Sequence, residues 1–335
     1  MALASVAASI LPESVAWDVL VVDNNSSDQT RDVVEDFCQR YPARFRYLLE
    51  PQLGKSYALN VGIREARGDV LAFMDDDVTV EPTWLQNLTA ELHDGRWAGA
   101  GGCIRPQEGF SLPPWLIIRG PLRCSQNEIN HHLGGPLVLF DLGDKAGELD
   151  RPPFGTNMAF RKTMFEKYGG FRTDLGPRPG NAIRNEETEF SMRLMAAGER
   201  LWYAPSAVVC HPVPKQRVKK TYLRAWWFAY GRAVIRQTRK QPSVREIPKL
   251  YLRRLADTLR WMFVSNPHWP LHPPWRFYWE TQVCMTAGEI VEIVRLGRHK
   301  TPKSNAISER DLADGFPSLE DAGEIDRAKR SKIHP

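Results

Sequence analysis

The amino-acid sequence predicts an α/β fold, with a mostly parallel sheet flanked by helices and a basic helical extension behind it. Three observations predict this. Residues 70–74 are a short, unbroken apolar run, as expected of a strand covered on both faces, and residues 17–22 (WDVLVV) read as a second buried strand. Between them, strand-like and helix-like segments alternate in the order that builds a parallel sheet. Finally, residues 215–300 hold 18 Lys and Arg against 5 Asp and Glu, a balance of +13, so the rest of this +5 chain stands near −8. Two surfaces with different partners follow from that asymmetry.

Residues 1–14 place Leu3, Val6, Ala7 and Ile10 at helical spacing. The strand at 17–22 ends at Asp23, and NNSSDQT then supplies turn formers and an N-cap from Ser26, Ser27 or Asp28. A helix carrying Val33, Val34 and Phe37 follows, then a short strand at 46–49. In GKSYALNVGIREA, the spacing of Ala58, Val61, Gly62 and Ala66 suits a helix packed closely on a sheet. The run at 70–74 leads straight into Asp75, Asp76 and Asp77. Three adjacent carboxylates repel one another, and a hard divalent cation, Mg²⁺ or Mn²⁺, offsets that repulsion. In an extended segment Asp75 and Asp77 share a face and Asp76 points away. A solvated acidic turn accounts for the same three residues. Ligands of such sheets bind beyond the carboxyl ends of the strands, where both Asp23 and this cluster fall.

Further along, residues 105–149 form a long connection rich in Pro, Gly, Trp and His, of a length that suits a lid or wall. Its His131 and His132 read as surface residues. Gly155 to Arg161 and Gly169 to Phe171 read as turns beside a strand and a helix end. The acidic stretch NEETE, from Asn185, precedes Phe190, Met192, Leu194 and Met195 at helical spacing. Acids in a first turn are favoured by the helix dipole, and they can equally serve as a general base. His211 closes the apolar strand at 207–210.

VVDNNSSDQT, GKSYALNVGIREARGDVLAFMDDDV and NEETEFSMRLMAAGERLWYAPSAVVCH resemble successive blocks of glycosyltransferase family 2, in the right order and spacing. The resemblance implies the Rossmann-like GT-A fold over residues 1–212. It implies inverting, metal-dependent transfer of a sugar from a nucleotide-diphosphate donor, UDP by default, to a glycan or lipid-linked acceptor. On that resemblance Asp23 and Asn25 contact the donor, and Lys55 and Asn60 line its pocket. Asp75 and Asp77 are the DxD pair for Mg²⁺ or Mn²⁺, with Asp76 on the donor side in support and His211 completing the metal shell. Glu187 stands where the family places its base, normally an Asp, with Glu186 in reserve; Gly155 and Asn157 face the acceptor. The chemistry asks for these parts independently: a diphosphate leaving group needs a cationic clamp, and an attacking hydroxyl needs a base. The family's opening strand has no counterpart here, so the catalytic domain reads as N-terminally truncated, with a start downstream of the natural one.

Beyond His211, residues 213–300 read as basic amphipathic helices. Leu252, Leu255, Leu259, Met262 and Phe263 keep helical spacing, with Lys249, Arg253, Arg254 and Arg260 largely elsewhere, and seven further Trp and Phe positions include Trp226, Trp227 and Trp279. An anionic membrane surface attracts such helices. Packing on the catalytic domain with the basic sides in water is the alternative. No nucleic-acid motif accompanies the charge. Five cysteines without a CxxC pair fit a reducing compartment, no apolar run reaches the ~18 to 20 residues that span a bilayer, and residues 1–14 lack a basic leader region. These features point to a cytoplasmic protein, peripheral on the inner face of the membrane. Residues 301–335 lose apolar periodicity and read as a disordered tail. Three other functions compete. A sugar-1-phosphate nucleotidyltransferase would open with a Gly-rich basic loop that this chain lacks. An inert nucleotide-sugar-binding protein and a membrane scaffold are the other two.

Overall fold

The apolar run after Gly68 folds as a strand, and a computed structural model describing residues 1–116, 134–238, 244–260 and 273–298 shows what surrounds it. The expectations for residues 117–133 and 301–335, including His131, His132 and the tail, lie outside the described residues, as do Trp261 and Trp269. In chain order the front half runs α1 (Ala2–Ala7), β1 (Val19–Asp23), α2 (Thr30–Arg40), β2 (Phe45–Leu49), α3 (Lys55–Glu65), β3 (Val70–Phe73), β4 (Thr79–Val80), α4 (Trp84–Thr89) and β5 (Gly99–Pro106). It continues with β6 (Gly147–Glu148), β7 (Met158–Arg161), α5 (Lys162–Tyr168), α6 (Glu186–Ala196) and β8 (Leu201–His211). The extension supplies α7 (Lys220–Gln237), α8 (Ile247–Arg260) and α9 (Pro273–Arg298).

The strands form two sheets. β1 and β2 pair in parallel, while β3, β7, β5, β8 and β4 neighbour one another in that order, with β6 also on β8. Parallel pairing therefore holds for β1 with β2 and for β5 with β8, and the remaining pairs are antiparallel. The reason is connectivity. The strand–helix–strand rhythm ends at β3; β7 arrives from a loop and slots between β3 and β5 against both, which a crossover helix would not allow. The α/β class with helices flanking the sheet stands, in mixed rather than mostly parallel form.

The core beneath the site is aromatic. Phe165 stacks on Phe190 with centroids 4.5 Å apart, and Phe160 and Phe171 meet Phe190 edge-on. Offset and edge-to-face rings of this kind add to the area they bury. Because Phe190 belongs to α6, this cluster fixes the helix that carries the two glutamates. On the other side of the sheet Trp84, Leu88, Val80 and Val209 close a second core.

The extension packs on itself and on the catalytic unit. α7 and α9 cross at two glycines: a Cβ on Gly231 would sit 2.0 Å from the Met285 carbonyl oxygen, and one on Gly288 2.0 Å from that of Phe228. Only glycine lets the backbones approach so closely. The fully buried Glu292 of α9 accepts from Arg232 Nε at 2.8 Å and Arg236 Nε at 2.6 Å. At the end of α7, Arg172 donates to the carbonyls of Arg236 and Gln237 at 2.9 and 3.1 Å. α8 is different, for Tyr251, Leu252 and Leu255 are exposed beside exposed Lys249 and Arg253. Among the described residues no helix is long and apolar enough to cross a membrane.

Candidate active site

The ends of β1 and β3 open on one rim. Asp23, last residue of β1, is almost fully buried; its Oδ1 accepts from the Ser26 amide at 2.9 Å and its Oδ2 from the Tyr47 hydroxyl at 2.8 Å. Burial favours the protonated acid, but these hydrogen bonds outweigh it and hold Asp23 below the usual carboxylate range. Asn25 is exposed and left-handed, at φ 62°, in the turn that follows. Its neighbour Asn24, which sequence reasoning passed over, is the residue that ties the rim together. Its amide donates to the carbonyls of Glu50 and Gln52 at 3.0 and 2.8 Å, and its Oδ1 accepts from the Gly54 amide at 2.7 Å.

Lys55 opens α3 and reaches across the rim. Its Nζ lies 2.7 Å from Asp75 Oδ1 and 4.0 Å from Glu186 Oε1. Burial works against its charge, yet Asp75, Glu186 and Glu187 together raise its pKa, so it stays protonated. The same pairing, aided by the Thr156 hydroxyl at 2.6 Å from Asp75 Oδ2, lowers Asp75 despite its burial.

β3 stops at Phe73, so the three aspartates lie on a turn, and the alternation of an extended strand does not apply to them. Asp75 turns to Lys55 and Thr156, Asp76 is exposed, and Asp77 Oδ2 faces His211 Nε2 at 3.8 Å. Burial and the nearby Asp75 raise Asp77. His211, buried at the end of β8, is pushed down to about 4 by burial and by Arg217, so its ring is neutral at pH 7. Arg217 lies 3.2 Å from Nε2. Among the described residues no group of three His, Cys, Asp or Glu is set to hold a metal. Asp77 offers the hard oxygen that Mn²⁺ or Mg²⁺ takes, and His211 Nε2, beside which the Arg217 guanidinium lies, could join it on Mn²⁺, with the rest of the shell left to phosphate oxygens and water.

α6 begins with the acidic turn. Asn185 is left-handed, φ 79°, and its amide donates to Gln237 Oε1 of α7 at 3.0 Å. Glu186 is buried, and burial together with the charge of Glu187 raises it well above the usual carboxylate range. Gly176, at φ 89°, passes so close that a Cβ there would lie 2.5 Å from Ser56 Oγ and 3.5 Å from Glu186 Cδ. Glu187 is half-buried against Gly155, whose Cβ would meet its Cγ at 3.4 Å.

Two expected site residues turn out to be internal braces. Asn157 is fully buried; its Oδ1 accepts from Trp84 Nε1 at 2.8 Å and its Nδ2 donates to the carbonyls of Cys103 and Ala207 at 2.9 and 2.8 Å. It bridges the irregularity between Gly102 and Cys103 where β5 meets β8, and it does not face an acceptor. Asn60 pairs both ways with the backbone of Phe171, at 2.8 Å each, so both ends of its amide are tied within the protein. Thr156, by contrast, reaches the site from between Gly155 and Asn157, and only its place beside them could have signalled it.

Residues 2–169, half of the chain, match the family model described as Glycosyl transferase family 2. The chain belongs to glycosyltransferase family 2. A family relative, the succinoglycan biosynthesis protein ExoM of Rhizobium meliloti (strain 1021), is 29% identical over 233 residues, 68% of this chain and 67% of its own length. The glucosyl-dolichyl phosphate glucuronosyltransferase of Haloferax volcanii is 26% identical over 228 residues, 65% and 66% of the two chains. This glycosyltransferase thus spans about two thirds of the length of each. Among solved structures, a mannosyltransferase from Pyrobaculum calidifontis in complex with GDP-Man and Mn²⁺ superposes with a TM-score of 0.55 at 18% identity, covering 87% of this chain and 81% of the other. That likeness establishes the GT-A fold.

Proposed function

We propose that this glycosyltransferase moves a sugar from a nucleotide-diphosphate donor to an acceptor hydroxyl with inversion at the anomeric carbon. The observation that carries the reading is Lys55, whose ammonium joins the aspartate rim to the glutamate turn, at 2.7 Å from Asp75 and 4.0 Å from Glu186. One cation shared between those groups brings a diphosphate site and a base to the same place.

The steps follow from the side chains. Asp23 offers an ionised acceptor to the nucleotide base, and Lys55 faces the diphosphate. Asp77 and His211 would hold a divalent cation, which, when bound, offsets charge on the departing diphosphate. Glu186 is buried with one oxygen 4.0 Å from Lys55 Nζ, while Glu187 lines the opening beside Gly155. Glu187 therefore takes the proton of the acceptor hydroxyl as that oxygen bonds to the anomeric carbon and the bond to the diphosphate breaks. A single displacement of this kind inverts the centre. The mannosyltransferase's GDP-Man and Mn²⁺ and the dolichyl phosphate in the second relative's name support a nucleotide-sugar donor and a lipid-linked acceptor. Exposed Leu252, Leu255 and Tyr251 beside Lys249 and Arg253 support a peripheral contact with an anionic membrane through α8.

Hydrolysis of a panel of UDP-, GDP- and dTDP-sugars with Mn²⁺, Mg²⁺ or chelator tests the donor half. Release of one nucleoside diphosphate, lost with chelator and insensitive to metal in Asp77→Ala, is expected. A protein that neither binds nor cleaves any of them overturns the reading in favour of an inert scaffold. Flotation with anionic and neutral liposomes tests the membrane half, with salt-sensitive binding to the anionic set expected.

A further inference from the structure

One cation close to the glutamates has no part in the displacement. Arg184 lies just ahead of α6, and its Cζ sits 5.0 Å from the centre of the Trp226 ring on α7. Trp226 in turn stacks on Tyr230, with centroids 5.2 Å apart and planes 9° from parallel. Arg184 Nε donates to the Ala182 carbonyl at 3.3 Å, and among the described residues the guanidinium makes no ion pair. The ionisable groups whose charges reach it are Tyr222, Glu187, Glu186 and Arg217, and burial lowers its pKa.

Arg184 is half-buried, and a guanidinium partly withdrawn from water with no ion pair among the described residues gains when an anion joins it. Its planar fork matches a phosphate or carboxylate with two parallel hydrogen bonds. The indole beneath it holds the fork in place by a cation–π contact, so little order is left to impose on binding. The donor diphosphate already has Lys55, on α3. Arg184 belongs to the wall that α6 shares with α7, and the charge of Glu187 reaches it.

We infer that Arg184, held by Trp226, binds an anionic group that the acceptor carries near the hydroxyl that Glu187 deprotonates. The acceptor class is then a short anionic glycoconjugate, with the anion either a phosphate that joins sugar to lipid or the carboxylate of a uronic acid. This rests on the reading of Glu187 as base. Arg184 touches substrate, and Trp226 is a positioning residue that acts through it.

Three matched acceptor sets distinguish the sources: hexoses joined to a decyl chain through phosphate, decyl hexuronides, and plain decyl hexosides. In Arg184→Gln the KM for an anionic set should rise about tenfold or more, with kcat within about threefold and with decyl hexosides and acceptor-free donor hydrolysis unchanged. Loss confined to the phosphate set identifies a phosphate, and loss confined to the hexuronides identifies a carboxylate. Trp226→Leu should shift the same KM in the same direction by less, and Arg184→Lys should recover only part. Equal loss on neutral hexosides would overturn the inference, as would loss of donor hydrolysis, which would move Arg184 to the donor side. Calorimetric binding of decyl phosphate and decyl glucuronide needs no turnover. At least one should bind the parent protein and bind Arg184→Gln about tenfold more weakly; the absence of any such difference sinks the inference even if sugar transfer is confirmed. A protein that binds the probe through Arg184 yet uses no nucleotide sugar would instead sink the transfer mechanism.

Discussion

Glu186 and Glu187 are adjacent in sequence and share one turn of α6, yet their surroundings differ. Glu186 is 2% exposed, with one oxygen 4.0 Å from Lys55 Nζ and the other without a hydrogen-bond partner among the described residues. Glu187 lines the opening beside Gly155. Glu187→Gln preserves shape and removes basicity, so turnover should fall by about 10² or more with donor affinity nearly unchanged. Steady-state kinetics and donor titration check this, and the same pattern in Glu186→Gln instead would exchange the two roles. Asn157 shows the other way a polar residue can be used. Asn157→Ala strands the Trp84 indole and two carbonyls in the core, so stability should drop by about 3 kcal/mol in denaturant titrations. A loss below about 1 kcal/mol would mean that water replaces the amide. Sequence pattern reveals polar residues near a strand end but not their direction, which is why Asn157 and Asn60 read as ligands and Asn24 as mere turn.

At the scale of elements, the helix pair α7–α9 rests on a buried carboxylate. Glu292 is lowered by Arg236 and Arg232, whose hydrogen bonds and charges outweigh the effect of burial. A depressed acid contributes stability that is complete above its unfolded value of 4.5 and is lost as pH falls through the lower folded value. The melting temperature of the parent protein should therefore exceed that of Glu292→Gln at neutral pH and converge on it in acid, below about pH 4. A constant gap down to pH 3 would assign the difference to packing alone. Gly231→Ala should separate the same helices and lower the melting temperature, because the added methyl meets the Met285 carbonyl. The amphipathic pattern of this region was legible, since Leu and Arg alternate at helical spacing. The crossing was not, because a glycine in a helix reads as a weak point until its partner helix is seen.

For the molecule as a whole, the front half was the readable part. Apolar runs ending in Asp23 and Asp75, with helices between them, encode β1 to β3 locally, although α2 starts from Gln29 and not from the Ser26, Ser27 or Asp28 cap that the sequence offers. β7 and β4 are short, arrive from loops and take direction from their neighbours, so nothing in their own residues announces antiparallel pairing. The same assembly leaves β1 and β2 as a hydrogen-bonded pair of their own, with no ladder to β3 among the described residues. Asp23 thus stands on one sheet and the carboxylates after β3 on another, joined by side chains such as Val19, Val70 and Ala72, and by α3. Contacts of that kind give way at lower free energy than a continuous ladder, so the pair should open on its own. Backbone amides of residues 19–23 and 45–49 should exchange with deuterium well before those of β5 and β8, and a bound nucleoside diphosphate should slow them selectively. Equal protection in both sheets would count against independent opening. Where it occurs, part of the donor's binding free energy goes into quieting this motion, and affinity for the nucleotide becomes adjustable by substitutions that never touch it.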